Sequence, residues 1–70
     1  MPFISVKTWP NISDDIAFNL MREITRVTAK VTGAPLDKIT VVIEEIPKAR
    51  WAEAGIIGID PDFASKSRQS

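Results

Sequence analysis

Neither cysteine nor histidine occurs anywhere in the chain. Lack of the first rules out a disulfide framework and a thiolate metal site. Lack of the second removes the commonest metal ligand and the usual general base. Charge of one sign is missing as well: nine basic and nine acidic side chains cancel, and the cations are scattered from Lys7 to Arg68 without a basic run. Nucleic-acid binding therefore has little electrostatic support. No apolar run approaches the roughly 20 residues of a membrane span, and the N-terminus lacks the charged and then apolar order of a signal peptide. These absences predict a soluble, cytoplasmic protein with no nucleic-acid or membrane partner.

Seventy residues make a single domain, 1–70, and a single core of this size rarely supplies more than roughly 3–5 kcal/mol. With disulfides and thiolate metals excluded, association with other copies remains as the staple. An apolar fraction of 44% is compatible with burying faces on two sides, as a subunit must.

What is present begins with Pro2, directly behind Met1. Removal of Met1, which methionine aminopeptidase performs before a residue this small, would leave Pro2 a free secondary amine. An α-amino group ordinarily titrates near 8. In a dry pocket its ammonium form is disfavoured, so the amine becomes a base poised near neutrality. By itself a second-position proline is also an ordinary residue.

Phe3-Ile-Ser-Val-Lys-Thr-Trp9, closed by Pro10-Asn11, predicts a strand over 3–9. Ser13 followed by Asp14 and Asp15 reads as a helix start, the hydroxyl capping free amides and the carboxylates meeting the positive end of the helix dipole. Ile16, Leu20, Ile24, Val27 and Val31 follow at spacings of four, four, three and four, which is one helical stripe. Asp15, Asn19, Arg22, Arg26 and Lys30 occupy the other side, and Gly33 stands where a left-handed cap residue is expected. The helix is predicted over 14–32. Pro35 opens a single turn through Lys38, and Ile39 to Ile46 is the strongest strand pattern, stopped by Pro47. Strand, helix, strand predicts an α/β (α+β) β-α-β unit with parallel strands and a right-handed crossover. Gly55-Ile-Ile-Gly58-Ile suits a short C-terminal hairpin that adds strands to a neighbour's sheet, and Asp60-Pro61-Asp62 looks like a cap with a first-turn proline. Two parallel strands leave edges unpaired, so the fold is expected to be completed by oligomerisation. Ser67 to Ser70 are polar and expected to fray.

Pro2, the Ala34-Pro35-Leu36 turn, the Val41-Val42-Ile43-Glu44-Glu45 strand and the loop Trp51-Ala-Glu-Ala-Gly55 together resemble the 4-oxalocrotonate tautomerase family over nearly the whole chain. The resemblance implies dimers that pair into four-stranded sheets, trimers of dimers and active sites between subunits. It further implies proton transfer on an enol or 2-oxo acid by the N-terminal proline, acting as an ammonium acid in hydrating and dehalogenating relatives. No cofactor is implied.

Departures from the family pattern define the candidate site. The tautomerases hold substrate carboxylates with arginines at positions occupied here by Ile12 and Thr40, and dehalogenase relatives carry a third where Trp9 stands. An oxyanion without a fixed cation loses a stabilisation worth several kcal/mol. Lys38, Lys7 and Arg50 are the cations that can stand in, Lys38 first, although isolated Lys and Arg are ordinarily solvated. One weaker cation suits a monocarboxylate or an uncharged carbonyl better than a diacid. Trp51 and Trp9 fall where the family places apolar pocket walls, positions that a subunit interface also fills with aromatics. Glu53 falls where trans-3-chloroacrylic acid dehalogenase, to whose subunits the chain is also similar, places a water-activating glutamate; a loop glutamate is more often solvated. Asp14 and Asp15 are adjacent on a helix and do not face one another, and Glu44 and Glu45 alternate across a strand, so neither pair forms a dyad. Three functions follow as expectations: a homo-oligomeric tautomerase, a hydratase or dehalogenase of unsaturated acids using Glu53, and a non-catalytic subunit of a hetero-oligomer whose partner supplies the arginines.

Overall fold

Strand β1 comprises Phe3–Thr8 and pairs in parallel with β2, Thr40–Glu45, in the computed structural model, which describes residues 1–67. The ladder runs from Phe3 opposite Thr40 to Thr8 opposite Glu45. Partners in such a ladder share a face, so Ile4, Val41, Val6 and Ile43 line one side while Phe3, Thr40, Ser5, Val42, Lys7 and Glu44 line the other. Both strands stop a residue or two short of the predicted spans; Ile39 is extended, but its N–H goes to the Leu36 carbonyl of the preceding turn rather than to β1. The expected fraying from Ser67 falls mostly on residues 68–70, outside the described residues.

Helix α1 spans Asp14–Thr32. Ser13 caps it, its hydroxyl accepting from the Ile16 N–H at 3.2 Å, and Asp14 and Asp15 occupy the first turn. Gly33 ends it at φ 76°, its N–H reaching the Ala29 carbonyl, a left-handed conformation open to glycine at little cost. The apolar stripe of α1 does not face its own sheet. Ile16, Val27 and Val31 are 60%, 45% and 77% exposed, whereas Ala17, Met21, Thr25, Thr28 and Ala29 are half-buried. Met21 and Ala17 border one recess with Ile43 and Glu45, and Met21 and Ala29 share a groove with Ile39 and Val41. Short side chains let the helix lie close on β2, and only Ile24 of the stripe is half-buried.

Leu36–Lys38 form a single 3-10 turn between α1 and β2, as Pro35 foretold, and Lys48–Arg50 form another after Pro47. The hairpin begins earlier than expected: β3 is Ala52–Glu53, β4 is Ile56–Ile57, and the turn is Ala54-Gly55 with φ of 53° and 79°. Two left-handed residues match the twist of a tight antiparallel pair. Gly58 instead lies against the Lys48 backbone, its N–H donating to the Trp51 carbonyl at 2.7 Å. Helix α2 is Phe63–Lys66. Asp60 rather than Asp62 organises its start, Oδ1 accepting from the Asp62 N–H at 2.8 Å, and Pro61 precedes the helix.

Among the described residues not one is buried. Phe3, Phe18, Leu36 and Ile59 are all more than half exposed. A protomer with this much open apolar surface has surface suited to a partner. No helix among the described residues is long and apolar enough to cross a membrane.

Candidate active site

Parallel pairing places Pro2 and the β2 entrance together. The Thr40 N–H donates to the Pro2 carbonyl at 3.0 Å, extending the ladder one step beyond Phe3 and fixing the Pro2 backbone while leaving its nitrogen out of the ladder. Pro2 is half-buried and Met1 is 88% exposed. Lys38 is exposed in the turn two residues before Thr40, so Pro2, Thr40 and Lys38 gather at one end of the sheet.

Trp9, Ile12, Trp51, Glu53 and Arg50 gather at the other end. From Pro2 to Trp9 the chain takes seven residue steps, and at roughly 3.3 Å each this is about 23 Å. No rearrangement short of unfolding β1 brings the Pro2 nitrogen to Trp51 of the same chain. The expected wall residues therefore do not surround Pro2 within one protomer.

The tryptophan end is built as an aromatic cluster. Trp9 and Trp51 meet edge to face with centroids 5.9 Å apart at 76°, and Trp9 meets Phe63 at 5.5 Å and 61°, geometries that aromatic quadrupoles favour. The Lys48 ammonium sits 4.5 Å from the Trp9 ring centroid, a cation–π contact. Trp9 Nε1 is buried without a hydrogen-bond partner. Trp51 Nε1 donates to Glu53 Oε2 at 2.9 Å. A recess of about 300 Å³ opens beside them, lined by Lys7, Thr8, Trp9, Trp51 and Glu53.

Of the expected cations, Lys7 lines this recess but is paired with Glu44 at 3.1 Å, both side chains more than half exposed. The Lys7 ammonium, first by its hydrogen bond and then by its charge, holds the Glu44 carboxyl below the usual carboxylate range, with Ser5 adding a weaker bond. Arg50 donates to the Ala49 carbonyl at 3.2 Å and is exposed. Glu45 accepts from the Ile12 N–H at 3.4 Å, so Glu44 and Glu45 do diverge across the strand. Lys48 and Phe63 are members of the cluster that sequence reasoning did not single out. The only signals for them were the Pro47 stop before Lys48 and an apolar residue following the Asp60-Pro61-Asp62 turn.

The family model described as a tautomerase enzyme matches residues 2–57. The chain belongs to the tautomerase family. It is 41% identical over 56 residues to a probable tautomerase of Staphylococcus haemolyticus, covering 80% of this chain and 90% of that one. It is 38% identical over 55 residues to a 2-hydroxymuconate tautomerase of Bacillus subtilis, covering 79% and 89%. A solved homologue of 4-oxalocrotonate tautomerase, 36% identical, superposes with a TM-score of 0.81 over 84% of this chain and 97% of its own. The α+β fold with its parallel β1–β2 pair, single long helix and short antiparallel hairpin is the tautomerase fold. Membership supports a tautomerase-like activity, that of an isomerase, for this tautomerase chain.

Proposed function

We propose that this tautomerase moves a proton between carbons of an enol or 2-oxo acid, using the Pro2 amine as base once Met1 is removed. The observation that carries the proposal is the position of Pro2: its carbonyl is tied to Thr40 while its nitrogen lies outside the ladder. A nitrogen held on a strand end loses no orientation at the moment of reaction. With Met1 attached that nitrogen is an amide and has no basic lone pair. The separation of Pro2 from Trp9 and Trp51 supports a site shared between protomers, Pro2 coming from one and the aromatic wall from another. The exposed apolar surface supports a homo-oligomer, a hexamer on the family pattern, and mass measurement in solution distinguishes it from a mixed assembly.

Thr40 and Ile12 carry no charge, so the substrate is held by fewer cations than a diacid requires. Lys38, exposed near Pro2, is the proposed anchor for a single carboxylate. The test is ketonisation of phenylpyruvate enol by protein whose intact mass lacks Met1. Equal rates for wild type and Pro2→Ala would sink the proposal.

A second reading is favoured by the recess that contains Glu53. Hydration of an α,β-unsaturated acid needs a carboxylate that accepts a proton from water, and Glu53 lines a cavity large enough for a small acid. Unchanged hydration of propynoate by Glu53→Gln would remove it.

A further inference from the structure

We infer that Trp51 is a positioning residue for Glu53, holding one carboxylate oxygen through its indole N–H so that the other is presented to water in the recess. The inference rests on the hydratase reading of the same site.

Backbone geometry brings the two side chains together. Trp51 is extended at φ −123° and ψ 130°, and β3 continues through Glu53. Residues two apart on extended backbone project to the same side. The Ala54-Gly55 turn follows at once with both φ positive, so β4 returns against β3 through the Glu53–Ile56 pairing. Glu53 is thereby seated on a paired strand rather than on an open loop.

The donor is itself oriented. Trp51 lies edge to face with Trp9, and Trp9 is fixed between Phe63 and the Lys48 ammonium. Two neighbours thus set the plane of the Trp9 ring, and Trp9 sets the plane of Trp51. The Trp51 Nε1–H then meets Glu53 Oε2 at 2.9 Å. Glu53 Oε1 accepts no hydrogen bond among the described residues.

The partner's chemistry matters. Glu44, the other carboxylate near Lys7, is ion-paired to it, and an ion-paired carboxylate is a poorer proton acceptor. Asp60 is similarly paired with Lys66. Glu53 is held by a neutral donor that fixes its rotamer and brings no compensating positive charge. An indole supplies that donor, and a phenylalanine or tyrosine ring at the same position lacks the N–H.

In the hydration step, water gives a proton to Glu53 Oε1 as its oxygen forms a bond to the β-carbon of the unsaturated acid. The displaced π pair moves to the α-carbon, which takes a proton from the Pro2 ammonium of another protomer. Glu53 then passes its proton to solvent and Pro2 regains one from solvent, leaving a β-hydroxy acid from an alkenoate, or from propynoate the enol of 3-oxopropanoate, and no net change in the enzyme.

The experiment observes the bond and the reaction separately. In the assembled ¹⁵N-labelled protein, the two tryptophans give two indole N–H signals. The Trp51 signal, assigned with Trp51→Phe, is expected to move when Glu53→Gln replaces its charged acceptor with a neutral amide. The Trp9 signal, from a buried N–H without a partner, reports whether each variant keeps the cluster intact. A Trp51 signal indifferent to Glu53→Gln while the Trp9 signal is unchanged overturns the positioning role. With propynoate, Trp51→Phe is expected to lower kcat on the order of ten- to a hundredfold, the scale of a misplaced catalytic group, with less effect on KM. Adding Glu53→Gln to it is expected to cost much less than Glu53→Gln alone. Full multiplication of the two losses overturns the coupling. Absence of hydration by the wild-type protein, with the Trp51 signal still following Glu53, defeats the hydratase reading and leaves the hydrogen bond standing.

Discussion

Two inactive variants of this chain should restore one another if Pro2 and Trp51 of each working site come from different protomers. The perturbation is to prepare Pro2→Ala and Trp51→Ala separately, mix them in denaturant and refold them together so that subunits assort at random. Within one chain, seven steps of roughly 3.3 Å keep Pro2 about 23 Å from Trp9, and Trp51 is packed on Trp9. In an equal mixture, half of all sites draw Pro2 from the Trp51→Ala chain. Half of those draw Trp51 from the Pro2→Ala chain. Random assortment in a symmetric assembly therefore rebuilds about one site in four. At a one-to-three ratio the product of the two fractions falls to about three sixteenths, which checks the assortment itself. The assay is phenylpyruvate ketonisation per total subunit, against a refolded wild-type control. Activity no greater than the sum of the two parents would refute the shared site, because a site built within one chain is never rebuilt by mixing.

Three further outcomes follow from the geometry. Trp9→Phe should match or exceed wild type in urea at fixed protein concentration, because it removes a buried unpaired N–H that costs about 1–3 kcal/mol; a loss beyond about 2 kcal/mol would refute the expectation that this unpaired N–H outweighs the packing of the larger ring. Gly58→Ala would put a Cβ 2.8 Å from the Lys48 carbonyl oxygen, and the expected cost in the same unfolding assay is about 1–3 kcal/mol, whereas unchanged stability would contradict the close approach. Asp60 is held below the usual carboxylate range, first by the Asp62 N–H and then by Lys66. Its contribution is complete above the ordinary carboxylate pKa of about 4 and is lost as pH falls through the lower folded value. Asp60→Asn should therefore be less stable than wild type near neutrality and converge with it in strong acid, and a gap that widens there would reverse the assignment.

Helix α1 was legible because each end has a cause confined to a few residues. Ser13 supplies the cap, Asp14 and Asp15 suit the dipole, and Gly33 alone tolerates φ 76° at low cost. Strand pairing was legible too, since a helix of this length between two strands permits a parallel ladder. The hairpin was legible through Gly55, which sits in its turn, but the other turn residue was not. Nothing in the sequence marks Ala54 for φ 53°, a conformation alanine rarely adopts. Periodicity found the stripe from Ile16 to Val31 but carries no information on what it packs against. The structure shows that a neighbouring face, offset by one residue through Ala17 and Met21, meets the sheet. The site was read only in part. Pro2 was legible from its place behind Met1, and Trp9, Trp51 and Glu53 came from the family pattern, while their division between two ends of the sheet required the register of β1 on β2. Lys48 escaped notice because a cation over an aromatic ring across a loop leaves no local spacing to detect.

No described side chain is buried within one protomer, and that bears on how the protein exists at all. A chain whose apolar groups are covered by its neighbours has a stability that depends on how many neighbours it meets. In the homo-oligomer proposed above, dilution would act on it as urea acts on an ordinary domain. A newly made copy at low abundance would present Phe3, Leu36 and Val31 to whatever binds exposed apolar surface, and the rate at which the chain is made would set how much folded enzyme there is.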